Sequence, residues 1–235
     1  SKTNVSIQDI RGISRMNVKA KLVPQPPATM EDLNFPGQTF TGNADETGVE
    51  GEFEVSHQKY DGRNAPDFPL NPDTFKDLGP YLEPAESIES SDPVLMALAR
   101  EISMGSENLW EAATRISQWV AENIEGSILD GTARETYDAR SGLCGAQSNL
   151  MTALCRAAGI PARTVWGCLY TPEYGGSFGH HAWNEVYMGE SGWIPLDVTI
   201  HETDYVDSGH IRFGVLHTRR TQIDSWDMEI LDYRL

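Results

Sequence analysis

Residues 141–161, SGLCGAQSNLMTALCRAAGIP, constrain the fold of this chain more than any other segment. Apolar side chains recur at helical spacing after the glycine-flanked Cys144, and the run ends at Gly159 and Pro161. Glycine accepts the left-handed conformation that closes a helix, and proline cannot continue one. The segment therefore predicts a buried helix with Cys144 at or just before its first turn.

The position of Cys144 has a chemical consequence. The unpaired N–H groups and the dipole of a helix N-terminus favour an anion, so a thiolate is stabilised there. Cys155 lies further along the same helix without this advantage, and we predict that it is a core residue. A lone cysteine is usually a small buried hydrophobe, so further residues must decide the role of Cys144. Spacing alone leaves open whether Cys155 and Cys168 form a disulfide.

Two segments downstream supply such residues. Residues 179–187, GHHAWNEVY, and 192–199, GWIPLDVT, are typical of two strands joined by a turn. His181 opens the first strand and Asp197 ends the second. A cysteine at a helix start, a histidine and an aspartate can act as nucleophile, base and orienting group. The sequence thus predicts a catalytic triad of Cys144, His181 and Asp197.

The same segments resemble the transglutaminase-like superfamily of cysteine enzymes, over about residues 85–200. The resemblance rests on four motifs in order, which are the Gly-x-Cys helix start, residues 156–163 (RAAGIPAR), residues 181–186 (HAWNEV) and the span from Trp193 to Asp197.

This resemblance implies an α+β, papain-like core, with helices packed on an antiparallel sheet. It also implies covalent acyl transfer from an amide to water or to an amine, with no cofactor and with a peptide or protein as the partner. The family pattern places tryptophan two residues after the base, so Trp183 selects His181 rather than His180. We predict that His180, Trp183 and Trp193 contact the substrate.

The register of the predicted hairpin decides whether His181 and Asp197 can meet. Paired residues of an antiparallel ladder share a face, and side chains alternate with period two. A four-residue loop at 189–192 would put the two side chains on opposite faces. We therefore predict a connection of odd length, or a bulge near Pro195, which cannot donate to the ladder.

The N-terminal third has a different pattern. Residues 1–84 are predicted to form a β-rich region that ends in a proline-rich linker, and residues 85–235 a catalytic domain. Alternation of apolar and charged residues at 18–22 and 51–55 predicts two half-exposed strands. We expect this region to support the catalytic domain by packing against it.

Signals for the remaining elements are uneven. Asp92 followed by proline, and Asn108, predict the starts of two helices. Residues 171–179 are predicted to be a loop and residues 211–216 an edge strand, while the rest of the C-terminal part is weakly patterned. Three histidines there are predicted at the surface: His201, His210 and His217.

The amino-acid composition limits the classes of partner that this chain can bind. The chain carries 35 acidic and 18 basic residues, a net charge of −17, whereas nucleic-acid-binding proteins present basic surfaces. We therefore exclude nucleic acid as a partner. The sequence contains no apolar run of the ~18 residues that a membrane span requires, and it leaves the oligomeric state open. The first residue is Ser1 rather than methionine, and we favour an extracytoplasmic location with a leader removed.

Two other functions compete with the thiol enzyme. A zinc site would use Cys144, His180, His181 and Asp197, but paired ligand spacings such as C-x-x-C are missing and adjacent strand histidines diverge. We predict no metal. The second alternative is a catalytically silent binding module on the same scaffold, in which Cys144 would react like an ordinary thiol.

Arg163 is predicted to have a structural role. It begins the strand after the helix, and Glu185 lies four residues after His181 on the next strand. We predict an ion pair between Arg163 and an acidic residue that braces the sheet without taking part in chemistry.

Overall fold

The computed structural model describes residues 1–217 and 220–235, which divide into two compact units. The first unit comprises Ser1–Lys59, Val165–Ala182 and Val206–Leu235. The second comprises Tyr60–Thr164 and Trp183–Tyr205. Both units are discontinuous in sequence, and the domain boundary expected at residues 84 and 85 stays a prediction.

Five α-helices and ten strands are present in the described part of the chain. The helices are α1 (Met30–Leu33), α2 (Pro93–Ser103), α3 (Leu109–Asn123), α4 (Ala133–Ala139) and α5 (Cys144–Ala157). The strands are β1 (Arg15–Gln25), β2 (Gln38–Asp45), β3 (Gly48–Val55), β4 (Glu125–Gly126), β5 (Ser141–Gly142), β6 (Ala162–Thr171), β7 (Ser177–Tyr187), β8 (Trp193–Leu196), β9 (His210–Val215) and β10 (Gln222–Arg234).

The first unit contains a four-stranded sheet with the order β10-β1-β3-β2, and each neighbouring pair is antiparallel. Side chains of β1 alternate between buried and more exposed positions, because one face of the sheet packs on the core of the unit. The two strands predicted at residues 18–22 and 51–55 lie within β1 and β3. The buried members of β1 are Met16, Val18, Ala20, Leu22 and Pro24.

The sequence pattern did not predict strand β10. Its register against β1 shifts twice: Val23 pairs with Asp224 but Lys21 with Asp227, and a second shift follows Asn17. Each shift places an extra residue on β10, so the apolar side chains are spaced by three residues at those points instead of two. The alternation that identifies a strand is therefore interrupted.

Helices α2, α3 and α5 of the second unit begin where the sequence signals predict, whereas α4 was not predicted. The Asp92 carboxylate accepts hydrogen bonds from two N–H groups of the first turn of α2, and the Asn108 side chain accepts one from the N–H of Glu111 in α3. Helix α5 ends at Ala157, and Gly159 follows with φ +80°. Buried residues of α2, α3 and α5 form one core with Val186 and the neighbouring strand β8.

The second sheet has the order β8-β7-β6-β9, so β9 is the edge strand predicted at residues 211–216. The loop expected at residues 171–179 is shorter than predicted, because β7 already begins at Ser177. The chain reverses over residues 172–176, where Gly175 and Gly176 have φ of +82° and +104°. Glycine tolerates these angles, which permits the tight turn.

The hairpin of β7 and β8 has the predicted odd connection. Tyr187 pairs with Trp193 and Asn184 with Leu196, which leaves residues 188–192 as a five-residue link. The N–H of Met188 donates to the carbonyl of Gly192 and closes this link at 2.8 Å. Pro195 pairs opposite Glu185 without a register shift, so the loop length alone sets the register.

These observations confirm the predicted fold class, α+β with helices packed on an antiparallel sheet. Among the helices of the described residues, none has the length and apolar character needed to cross a membrane. The extracytoplasmic location expected from the sequence stays a prediction.

Candidate active site

Cys144 is the first residue of α5, and its side chain is partly exposed. The residue before the helix, Leu143, has an aliphatic side chain that cannot accept a hydrogen bond from the first turn. The carbonyl of Gly142 instead accepts hydrogen bonds from the Gln147 side chain at 2.8 Å and the Ser127 N–H at 3.1 Å. The chain leading into Cys144 is thus held on both sides, at the position where a helix favours a thiolate.

Gly142 is required by the close packing in front of Cys144. A Cβ atom at this position would lie 2.8 Å from the Cβ of Ala146 and 3.2 Å from a methyl carbon of Thr136. Any larger residue would push the start of α5 away from α4.

The other two cysteines have a different environment. All three cysteines are thiols, so the disulfide left open between Cys155 and Cys168 does not form. Cys155 and Cys168 are both 0% exposed. Burial raises the pKa of Cys155 to about 12 and raises the pKa of Cys168 as well. At neutral pH both thiols therefore stay protonated, a state that disfavours nucleophilic attack.

His181 lies on β7 within the first unit, and it is 7% exposed. His180, its neighbour on the strand, is exposed, and its Nε2 lies 2.6 Å from the Thr221 hydroxyl. Partial burial of the His180 ring beside Trp166, and secondarily the charge of His181, lower the pKa of His180. The two histidines therefore diverge, as predicted, and this divergence argues against a zinc site that needs both.

Asp197 follows directly after β8 in the second unit and is 0% exposed. Its carboxylate accepts a hydrogen bond from the N–H of Thr199 at 3.1 Å. Its backbone exchanges two hydrogen bonds of 2.8 Å with that of Glu202, which closes a tight loop over residues 197–202. These backbone hydrogen bonds fix the position from which the Asp197 carboxylate projects.

Asn184 ties α5 to β7 inside the second unit. Its side-chain amide donates to the carbonyl of Ser148 at 2.9 Å and to the hydroxyl of Thr152 at 2.8 Å, both on α5. The Thr152 hydroxyl also lies 2.9 Å from that of Thr164 on β6. This buried network fixes the helix that begins at Cys144 against the hairpin, a role that the sequence did not reveal.

Arg163 forms the predicted ion pair. Its Nε lies 2.7 Å from Oε1 of Glu185, and the two side chains are 15% and 4% exposed. The guanidinium also stacks on Trp193, with 3.8 Å between its central carbon and the ring centroid, and faces Tyr81 at 5.4 Å. Trp193 thus packs against Arg163.

The three predicted substrate-binding residues occupy different settings. Trp183 is 1% exposed, Trp193 is half-buried, and His180 is exposed. Their contact with a substrate stays a prediction. One prediction about the C-terminal part is wrong: His210 is 0% exposed rather than at the surface, whereas His201 and His217 are exposed as expected.

Residues 96–198 match the family model of the transglutaminase-like superfamily. A protein-glutamine gamma-glutamyltransferase of Pseudomonas aeruginosa is 37% identical over 82 residues, which are 30% of this chain and 12% of that protein. YebA, an uncharacterized protein of Bacillus subtilis, is 26% identical over 149 residues, 54% of this chain and 19% of that protein. The chain thus spans less than one fifth of the length of these two curated relatives.

A solved structure shares the fold over almost the whole chain. It is a protein of Cytophaga hutchinsonii described as a candidate cysteine protease, with a TM-score of 0.62 and 19% identity. The similarity covers 98% of this chain and 85% of that one. The solved structure confirms the fold, and the family match over residues 96–198 confirms the predicted resemblance to the transglutaminase-like superfamily.

Proposed function

We propose that this chain is a cysteine-dependent acyl-transfer enzyme that acts on amide bonds of peptides or proteins. Cys144 is the nucleophile, His181 the general base and acid, and Asp197 the group that orients the imidazole. The superfamily match supports the class of chemistry.

The observation that carries the proposal is the register of the β7–β8 hairpin. Asn184 pairs with Leu196, so a continuation of this register beyond the end of β8 would set Asp197 opposite Trp183. Paired residues share a face, and His181 lies two positions before Trp183 on the same strand. The odd connection at residues 188–192 is therefore what allows a base on β7 and an acid after β8 to project to one side.

The setting of Cys144 supports its role as the nucleophile. It is the first residue of α5 and is partly exposed, whereas the pKa values of the other two thiols are raised by burial. In the proposed reaction the Cys144 thiolate attacks the amide carbonyl and a C–S bond forms. His181 gives its proton to the leaving amine as the C–N bond breaks, which leaves a thioester. The backbone N–H of Cys144 donates to the oxyanion.

The acceptor that attacks the thioester determines whether the reaction is hydrolysis or acyl transfer. Water or a primary amine attacks the thioester, His181 takes its proton, and the thiolate leaves. The Pseudomonas relative is named as a glutamyltransferase and the Cytophaga protein as a candidate protease, so each acceptor has a named counterpart. Both outcomes require the same three residues.

A peptide library that contains glutamine, incubated with and without a primary amine and read by mass spectrometry, tests the proposal. Release of ammonia or a peptide fragment, or gain of the amine, is the expected result, and Cys144→Ala serves as the inactive control. A silent binding module would leave every peptide unchanged, and its Cys144 would react with iodoacetamide no faster than a cysteine in an unstructured peptide. That pair of results would overturn the proposal.

A further inference from the structure

A buried polar cluster around His210 lies in the first unit. Nδ1 of His210 is 3.1 Å from Oδ1 of Asp207 and also 3.1 Å from the backbone oxygen of Asp207. Both partners can only accept a hydrogen bond when the carboxyl group is ionised, so Nδ1 carries the proton. The neutral ring is then the Nδ1–H tautomer, with a lone pair on Nε2. The two side chains are 0% and 1% exposed.

The backbone around this pair is fixed. The carbonyl of His210 lies 3.1 Å from Nε2 of His57, and His210 pairs with Leu169 at the start of β9. The N–H of Gly209 donates to the same carboxylate oxygen of Asp207 at 2.8 Å. The imidazole of His210 is therefore held in one position by both its backbone and its side chain.

The held ring faces His181. The two ring centroids are 6.0 Å apart with the planes inclined by 61°, and a nitrogen of one ring lies within 4.8 Å of a nitrogen of the other. Strand β6 runs between β7 and β9, and its residue opposite Arg212 is Gly167. Residues 167 and 169 share a face of β6, and Leu169 shares a face with His210. Gly167 lets the backbone of β9 approach β6 closely, since a Cβ atom there would lie 2.9 Å from the carbonyl carbon of Ile211.

We infer that His210, held by Asp207, is a positioning residue for His181. The inference rests on the proposed function, in which His181 alternates between imidazole and imidazolium. The His210 ring limits rotation of the neighbouring imidazole. An ionised Asp207 carboxylate, hydrogen-bonded to His210, favours the imidazolium form of His181. Within this unit, His57 contacts the carbonyl of His210, and His180 interacts electrostatically with His181.

Titration of the histidine ring protons by NMR tests this inference without a substrate. The full chain is compared with His210→Gln, with Asp207→Asn and with the matched control His217→Gln, which alters an exposed histidine. The His181 signal is assigned from its loss in His181→Gln. We expect the His181 midpoint to fall by about 0.5–1 pH unit in both cluster variants and to stay unchanged in the control. Asp207→Asn preserves the size of the side chain, and it provides the test if His210→Gln fails to fold.

Alkylation of Cys144 by iodoacetamide provides the second readout. We expect its rate at neutral pH to fall about tenfold in the two cluster variants and to be unchanged in His217→Gln. An unchanged or raised His181 midpoint in either folded cluster variant overturns the inference, whatever the reactivity of Cys144. A wild-type Cys144 that reacts like an ordinary thiol overturns the proposed function instead, so the two failures are distinguishable.

Discussion

Replacing Arg163 by methionine tests whether the sheet depends on a buried ion pair. Methionine is similar in length but removes the charge that lies 2.7 Å from the Glu185 carboxylate, whose side chain is only 4% exposed. Removing one partner of a buried pair costs about 3–5 kcal/mol, because the other charge stays desolvated without its counterion. The contact with Trp193 adds about 1 kcal/mol of cation–π stabilisation that methionine cannot supply. We expect Arg163→Met to lower the free energy of unfolding by about 4–6 kcal/mol.

Urea unfolding of Arg163→Met, Glu185→Met and the double variant measures this effect as a double-mutant cycle. The double variant should recover part of the loss, since an apolar pair of similar volume replaces both charges. Arg15→Met is the matched control. Its ion pair with Asp232 has a similar distance, 2.6 Å, but the two side chains are 31% and 60% exposed. Exposed pairs contribute under about 1 kcal/mol, so this control should barely change stability.

The alkylation rate of Cys144 separates structure from chemistry in the same samples. It should be retained in folded Arg163→Met, because the guanidinium is bound to Glu185 and Trp193. A loss below about 1 kcal/mol with no coupling in the cycle would refute the buried-pair reasoning. Normal stability with slow alkylation would show instead that Arg163 serves the reaction.

Three further predictions concern the site. Native alkylation followed by peptide mapping should label Cys144 first at pH 6–9. The reason is that burial raises the pKa of Cys155 to about 12 and also raises the pKa of Cys168. Labelling of Cys155 or Cys168 before Cys144 would contradict the assignment of the nucleophile. Asp197→Asn should slow both turnover and Cys144 alkylation by about 10²-fold without unfolding the chain, and an unchanged rate would remove Asp197 from the triad. Asn184→Ala should lower the free energy of unfolding in urea by about 1–3 kcal/mol, since two buried hydrogen bonds are lost, and a neutral result would show that the link to α5 is dispensable.

The sequence predicted those parts of the fold that depend on neighbouring residues. Helix α5, its glycine stop and the odd connection between β7 and β8 follow from local rules for capping and strand alternation. The pairing of Arg163 with Glu185 was also predictable, because both lie on strands with recognisable faces.

The parts that were missed depend on distant segments. His210 seemed an ordinary surface residue, since its burial comes from partners on other segments of the chain, such as His57 and β6. Strand β10 escaped because two register shifts break its alternation. A repeated spacing of three between apolar residues, as from Ile223 to Trp226, is the signal of a bulged strand that could have identified it.

The pairing of β10 with β1 has a consequence for synthesis on the ribosome. Arg15 pairs with Arg234, so β1 and β3 emerge long before the strand that covers the outer edge of β1. Until then this edge presents unpaired backbone N–H and C=O groups, with which a strand of another nascent chain can pair. Lys19 and Lys21 are exposed along that edge, and lysine side chains on an open strand oppose such addition. Their charges thus protect the nascent chain during the interval before β10 arrives.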